Sequence, residues 1–513
     1  MSEAEKTDSG LEKSGRCEQK TLFEFSFNHA VKVRCRTQTV SANTGALLLR
    51  ETEDRLGIVN EIASRLRDPR DQRYVRHAMD ELLRGALFAN ALGFSRQDDA
   101  DVLAHDPAFK TAVWNRAGSE VADERLASQP TISRLVSLIS GKENLEILRQ
   151  SLHLPLLRHK QADGGEARFR LGVVDIDGFS ITTYGDQPGA ELNGYYNAKV
   201  YSPLAAYFSA NGDFKSRRLG EGFIDAKLRP GNASPAGEAI ACIDRVIVKA
   251  KELAQTVTFR MDAGFAGSEV LNHINRSGCR FTVRLPANAI LQDLARPFPV
   301  RPNGRPPKGG YEDAIEFTQY MNQRWDKPYR VILVVSDKPV RGLLTLQPDY
   351  FFLRANWTKD SRSPQECLDH YRQRGTFEDR IGEWKGMGVN LSLDTFDKNE
   401  ATLLLSFLAY NLNEILRSET ESAIDPRPNP PYAPEDSGWD MGRLRDVVLK
   451  AGSVLARGGR RLWFDLADGV APFWQALLDR IKRWNPIPRK SAPRRIGIIP
   501  PVPHAFMSLN LRF

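Results

Sequence analysis

Three acidic positions combine residue type and context in a way that could do chemistry. Asp177 closes the short apolar run Phe-Arg-Leu-Gly-Val-Val-Asp-Ile-Asp (residues 169–177) and is followed by Gly178. Asp262 closes a second such run, Val257-Thr-Phe-Arg-Met261. Glu378 lies in Tyr371-Arg-Gln-Arg-Gly-Thr-Phe-Glu378-Asp-Arg-Ile-Gly-Glu-Trp-Lys385. Carboxylates that converge from strand ends suit hard divalent cations, which take oxygen ligands. Two such ions about 3.5–4 Å apart are a common device for cleaving a phosphodiester. Asp175 shares a strand face with Asp177, because side chains alternate with a period of two. Asp177 lies farther out, before a glycine, and is the favoured first acid, with Asp175 left open as the alternative.

The third acid is read on a helical wheel. Tyr371, Arg374, Glu378 and Lys385 fall within an arc of about 60° if one continuous helix carries them. Glu383 lies more than about 100° from Glu378 on that wheel and is the poorer candidate. One face would then offer a carboxylate for a cation and three groups suited to phosphate and sugar. The alternative is a surface helix with local ion pairs such as Arg374 with Glu378. Gly375 and Gly382 each cost about 1 kcal/mol in a helix and point to close backbone approach or a local break.

These side chains need a frame, and the order of elements suggests one. Phe169–Asp177 reads as a central strand. Residues 197–209 read as a second, and Asn211-Gly212 as a hairpin turn after which residues 213–219 pair back. A helix is expected over 236–255, from Ile240, Ile243, Ile247 and Ala250, then the strand ending before Asp262, a helix over 268–276 and a strand over 281–285. Three antiparallel strands followed by helix–strand–helix–strand is the order of a ribonuclease-H-like core. The two aspartate-bearing strands would be parallel neighbours, with their carboxyl ends at the sheet edge where α/β sites lie.

The expected organisation is a disordered or extended N-terminus (1–50) and a helical DNA-binding domain (51–150). The core begins over 165–287, is interrupted by a β-rich insertion (288–360), and resumes in helices carrying the third acid (361–418). A proline-rich linker (419–440) and a basic, mostly helical C-terminal region (441–513) follow. Within the N-terminal helices, Leu126-Ala-Ser-Gln-Pro-Thr-Ile-Ser-Arg-Leu135 fits the joint of a helix-turn-helix, with Thr131, Ser133 and Arg134 in the first turns of the second helix. Trp325 and Trp357 in the insertion are expected to be buried structural residues, with stacking on a displaced base as the alternative.

Composition narrows the class. The 513 residues are 41% hydrophobic and 27% charged, an ordinary globular balance for several domains. No stretch approaches the roughly 20 apolar residues of a membrane span, and residues 1–20 lack the apolar centre of a secretory signal. The five cysteines are scattered with no Cys-x-x-Cys pair, which argues against zinc and suits a reducing cytoplasm. Net charge is +8, and residues 441–513 carry 14 basic and 4 acidic side chains. A basic end on a near-neutral body suggests a polyanionic partner.

Tyr-x2-Arg-x3-Glu-x6-Lys, met by Tyr371, Arg374, Glu378 and Lys385, resembles the signature of the IS-four-like insertion-sequence transposases with an Asp-Asp-Glu (DDE) triad. Asp175-Ile-Asp177, Tyr184-Gly-Asp-Gln-Pro-Gly189, Asp262-Ala-Gly-Phe265 and Asp71-Gln-Arg-Tyr-Val-Arg76 look like its IS-thirteen-eighty branch. The resemblance spans about residues 50–418. It implies a ribonuclease-H-like catalytic core with a β-rich insertion between the second Asp and the Glu. It also implies two Mg²⁺ ions, or Mn²⁺ as substitute, bound by Asp177, Asp262 and Glu378, with DNA contacts from Tyr371, Arg374 and Lys385. The implied substrate is double-stranded DNA, as terminal inverted repeats and target, moved by cut-and-paste by a homodimer at the cytoplasmic nucleoid. One departure is that relatives follow the first Asp with a small residue and Thr, where this chain has Gly178, Phe179 and Ser180. Two other classes remain: a non-catalytic DNA-binding repressor derived from a transposase, and a plain metal-dependent nuclease.

Overall fold

A computed structural model describes residues 22–34, 38–116, 118–194, 197–210, 220–234, 237–298, 303, 310–317, 320–337, 348–424, 439–467 and 470–487. Its N-terminal half-layer is helical. Helix α1 (Ala46–Leu56) buries Leu48, Leu49, Thr52 and Leu56 at three- and four-residue spacing, and α2 (Met79–Ala91) buries Leu82, Leu83, Ala86 and Leu87. A buried ion pair joins them, Arg84 Nε to Glu53 at 3.1 Å. Helix α3 (Gln129–Ile139) opens with Pro130 in its first turn and buries Leu135, Val136 and Ile139, and α4 (Lys142–Gln150) follows.

The centre is an eight-stranded mixed sheet. Its strands are β1 (Phe169–Gly178), β2 (Leu204–Ala210), β3 (Glu221–Lys227), β4 (Ala254–Met261), β5 (Arg280–Leu285), β6 (Tyr311–Phe317), β7 (Arg330–Asp337) and β8 (Asp349–Ala355), in spatial order β6-β7-β8-β5-β4-β1-β2-β3. Strands β1, β2 and β3 are antiparallel, while β1, β4 and β5 are parallel. Between the parallel strands run α5 (Ala239–Leu253), which buries Cys242, Ile243, Val246, Ile247 and Ala250, and α6 (Ser268–Arg276). Val174 and Ile176 of β1 face this layer in one apolar core with Phe259 and Met261 of β4. By alternation Asp175 and Asp177 turn to the other face.

That other face is covered by α7 (Pro364–Arg372), α8 (Gly375–Gly386) and the 29-residue α9 (Phe396–Ile424). Helix α9 contacts α2, α4, β3 and α10 (Ala471–Lys482), so it joins the helical layer to the sheet. Its Asn411 clamps the edge strand. The side-chain oxygen accepts from Phe223 N at 2.8 Å, and the amide donates to Phe223 O at 2.8 Å and Leu152 O at 2.9 Å. Phe223 lies at the β2–β3 bulge, where the ladder alone would leave backbone groups unpaired.

Several elements differ from the sequence reading. Residues 197–209 are two strands, because Ser202-Pro203 interrupts them. Ala198–Tyr201 pairs in a small sheet with Glu191–Asn193 and Ile181–Thr182, and only Leu204–Ala210 joins the main sheet. The strand pairing back is β3, and residues 213–219 lie outside the described residues, as does most of the expected linker. The insertion strands β6–β8 extend the main sheet from β5 instead of forming a separate layer. Residues 1–50 contain a hairpin (Leu22–Phe25 with Asn28–Arg34), the strand Val40–Ser41 and the start of α1. The C-terminal region holds strands β9 (Ser453–Gly458) and β10 (Arg461–Leu466), with Val40–Ser41 paired to β9. That pairing partner is over four hundred residues away, beyond the reach of any local pattern.

Asn411→Ala should leave Phe223 N–H and C=O buried without partners. We expect a loss on the order of 2 kcal/mol, read as a lowered urea midpoint for the unfolding of the sheet.

Candidate active site

Strand pairing brings the first two acids together. In the parallel β1–β4 ladder Asp175 pairs with Arg260 and Ile176 with Met261, so the next step sets Asp177 beside Asp262. Asp262 lies just past β4, where its carboxylate accepts from Gly264 N at 2.9 Å and starts a short 3-10 turn. Asp177 accepts from the Gly178 backbone at 2.8 Å, and its side chain is 20% exposed. Burial, with Asp262 and Glu378 adding repulsion, pushes its carboxyl up to about 6 despite the neighbouring Arg374 guanidinium.

Asp175 has a different environment. It is 2% exposed, and both oxygens are taken by Arg260, at 2.8 Å from Nε and 2.6 Å from Nη2. Arg260 reaches on to His370 O at 3.1 Å and Gln373 Oε1 at 3.2 Å. The pair is thus a strut between two strands and the helix above them.

Tyr371, Arg374, Glu378 and Lys385 do not share one helix. Helix α7 ends at Arg372, and a two-residue turn closed by Arg374 N to Tyr371 O (3.0 Å) and Phe377 N to Arg374 O (2.9 Å) precedes α8. A continuous helix through all four is interrupted at Gln373, which Arg260 holds, and at Gly375 two residues on. Of the two readings of the glycines, the local break applies at Gly375. Nothing lies within 4 Å of a Cβ added at Gly375, Gly382 or Gly386. The four residues nevertheless gather at the sheet edge. Arg374 contacts Asp177 through Nη2 and Glu378 through Nη1, the latter at 3.2 Å. Tyr371 feels the charges of Arg374, Arg284, Asp262 and Asp177, and its burial raises the phenol. The Lys385 ammonium lies 5.7 Å from the Phe179 ring centre, and Phe179 meets Trp384 edge-on at 5.6 Å. This contact gives the bulky residue after Gly178 a packing role.

Helix α8 is held by its opposite face. Phe377, Arg380, Ile381 and Trp384 are buried, and Trp384 donates to Ser406 at 3.0 Å and stacks on Phe407 of α9 at 4.6 Å. Glu383 belongs to this buried side, bonded to Arg417 (2.9 and 3.0 Å), Arg380 (3.1 Å) and Tyr410 (2.9 Å). Glu378 is 67% exposed.

All the candidate donors are carboxylate oxygens, a set that fits a hard divalent cation. As the side chains stand, no three His, Cys, Asp or Glu groups among the described residues are disposed to hold a metal ion. The Arg374 guanidinium contacts two of the three acids and supplies positive charge there itself.

Other sequence candidates lie elsewhere. Thr131, Ser133 and Arg134 are on the first turns of α3, where Thr131 lines a groove with Arg70, Arg76 and Arg125. Trp325 is buried against Arg354, 4.1 Å from its ring centre, and Trp357 is covered by Arg362 at 4.1 Å. Sequence reasoning missed Arg260 and Arg284. Arg260 had a signal: it stands two residues before Asp262 as Asp175 stands two before Asp177, opposite charges at matching positions on two strands.

Carboxylates at the ends of adjacent parallel strands in a large mixed sheet are consistent with a ribonuclease-H-like DDE domain. The family described as transposase DDE domain group 1 matches residues 23–486. The chain belongs to that family, whose members generally use divalent metal ions. No curated protein matches the chain.

Asp175 and Asp177 should respond oppositely to substitution. Asp175→Ala strands Arg260 without its buried partner and should cost about 3–5 kcal/mol. Asp177 has its folded pKa raised, so the stability it lends is present below about pH 4 and lost as pH rises through about 6. In chelator, wild-type stability relative to Asp177→Asn should therefore fall between pH 4 and 7, by up to about 3 kcal/mol. Thermal unfolding midpoints at several pH values measure this, and parallel curves for the two proteins would refute it.

Proposed function

We propose that the protein is a DNA transposase that cuts at terminal inverted repeats and joins the freed ends to target DNA by cut-and-paste. It fits the IS-four-like group and its IS-thirteen-eighty branch. What supports the reading is that Asp177 stands beside Asp262 in the β1–β4 register and shares Arg374 with Glu378, in a chain of the DDE transposase family. Asp177 is preferred to Asp175 because Asp175 has both oxygens committed to Arg260.

Asp177, Asp262 and Glu378 would hold Mg²⁺, with Mn²⁺ as substitute, and bound ions there supply activation of water and stabilisation of the leaving oxygen. Arg374 shields the acids from one another until that charge is supplied, and its guanidinium then serves a DNA phosphate. Tyr371, kept as a neutral phenol by burial, donates to a phosphate oxygen. Lys385 adds a cation on the exposed side of α8. Gly375, Gly382 and Gly386 fall within an arc of about 40° on that helix, which leaves a flat face for a nucleic-acid backbone. Thr131, Ser133 and Arg134 read the repeat from α3. The protein acts as a homodimer on DNA, at the bacterial nucleoid. Among the described residues no helix is long and apolar enough to cross a membrane.

The test is a plasmid with a marker between the element's own terminal repeats, incubated with protein and Mg²⁺. Wild type should release the marker, while Glu378→Ala and Asp177→Ala should abolish release and retain repeat binding. Repeat binding without release by wild type would support a repressor. Cleavage of DNA lacking repeats, without joining, would support a nuclease. Release by Glu378→Ala would mean another residue is the third acid.

A further inference from the structure

The hairpin of β9 and β10 belongs to neither the sheet nor the carboxylate site. Gly458 pairs with Arg461 across it, so Gly459 and Arg460 form a two-residue turn, with φ of 57° and 63°. Positive φ at both positions is the geometry that favours Asn-Gly, Asp-Gly or Gly-Gly. Only three non-glycine residues among those described have positive φ: Asn197, Glu238 and Arg460. Asparagine tolerates the left-handed region. Glu238 precedes α5 and pairs with Lys227 at 2.8 Å. Arg460 makes no hydrogen bond or ion pair among the described residues. An arginine held at a strained turn with no partner among the described residues points to a partner outside them.

The root of the hairpin is fixed while its tip is bare. Val454 pairs with Val40, Leu455 N donates to Thr39 O at 2.8 Å, and the Thr44 and Ser453 hydroxyls meet at 2.7 Å. Arg457 makes two bonds to Asp123, at 2.5 and 2.7 Å. Beyond that anchor, residues 458–461 are all exposed. Along β10 the side chains alternate, with Leu462, Phe464 and Leu466 half-buried and Arg461, Trp463 and Asp465 turned outward. Trp463 is 50% exposed. The ribbon thus presents at its tip two guanidinium groups that are unpaired among the described residues, with a flat indole beside one of them.

We propose that this hairpin is a β-ribbon that enters a groove of duplex DNA, with Arg460 and Arg461 on phosphates or the groove floor and Trp463 against the sugar edge. A two-stranded ribbon fits the major groove, and guanidinium groups suit phosphate. Residues 441–513 carry an excess of ten basic side chains, complementary to a polyanion. The proposal rests on the DNA-transposase reading.

The experiment is a salt titration of the full-length protein with a fluorescein-labelled duplex, read by anisotropy, in parallel with thermal unfolding. Arg460→Gly should keep or raise the unfolding midpoint, because glycine relieves the turn. It should nonetheless weaken binding several-fold and flatten log Kd against log salt by about one. Trp463→Ala should weaken binding with the salt slope unchanged. A wild-type Kd and slope for Arg460→Gly would overturn the proposal. So would a Trp463→Ala protein whose only change is its oligomeric state, which would make the ribbon a contact between copies. Failure of wild type to bind any duplex would instead overturn the transposase reading.

Discussion

The buried pair of Asp175 and Arg260 is the interaction around which the carboxylate edge is organised. It spans the two central parallel strands with both oxygens and two guanidinium nitrogens engaged, and its third nitrogen holds the turn between α7 and α8. Removing either charge alone would leave the other in an apolar interior, so the pair enforces strand register and helix position together. Backbone pairing therefore fixes the separation of Asp177 and Asp262, one step beyond the strut. Glu378 depends on a different support, the packing of Trp384 and Phe377 beneath its helix.

The acids of this region divide by environment. Glu383 is surrounded by Arg380, Arg417 and Tyr410; burial works to raise its carboxyl, but Arg417 and Arg380 outweigh it and hold the group below its ordinary value. Asp177 is pushed the other way, first by burial and then by Asp262 and Glu378, with a single guanidinium to oppose them. A carboxylate with all its partners supplied holds structure together, whereas one short of positive charge is prepared for a cation. Arg374 stands at the boundary between these conditions, since it is the charge that keeps the cluster tolerable.

Much of this was legible in the sequence, and the parts that were not have physical reasons. The strands ending at Asp177 and Asp262 and the crossover helix α5 follow from apolar runs and helical spacing, and their order predicts the parallel pairing. The break at Gln373 was not legible, because a tertiary contact from Arg260 stabilises it; Gly375, two residues on, was the local hint. The use of β6–β8 as an extension of the main sheet depends on which edge β8 meets, and no side-chain period encodes that choice. The role of Asp175 was open until its partner on β4 was known. The hairpin at 453–466 carried its own signal, alternation around Gly458-Gly459, which the basic composition of the segment obscured.

The pairing of Val40–Ser41 with β9 has a consequence for the order in which the molecule can be built. The Thr44 and Ser453 hydroxyls that meet there are 409 residues apart. Helix α10, which contacts α1 and α9, comes later still. Closing so long a loop has an entropic cost that only contacts made late can repay. On the ribosome, the first helix can meet α2 early, through Glu53 and Arg84, but must wait for nearly the whole chain before β9 and α10 exist. A chain lacking residues 453–487 would leave Val40–Ser41 without its strand partner and α1 without the cover of α10.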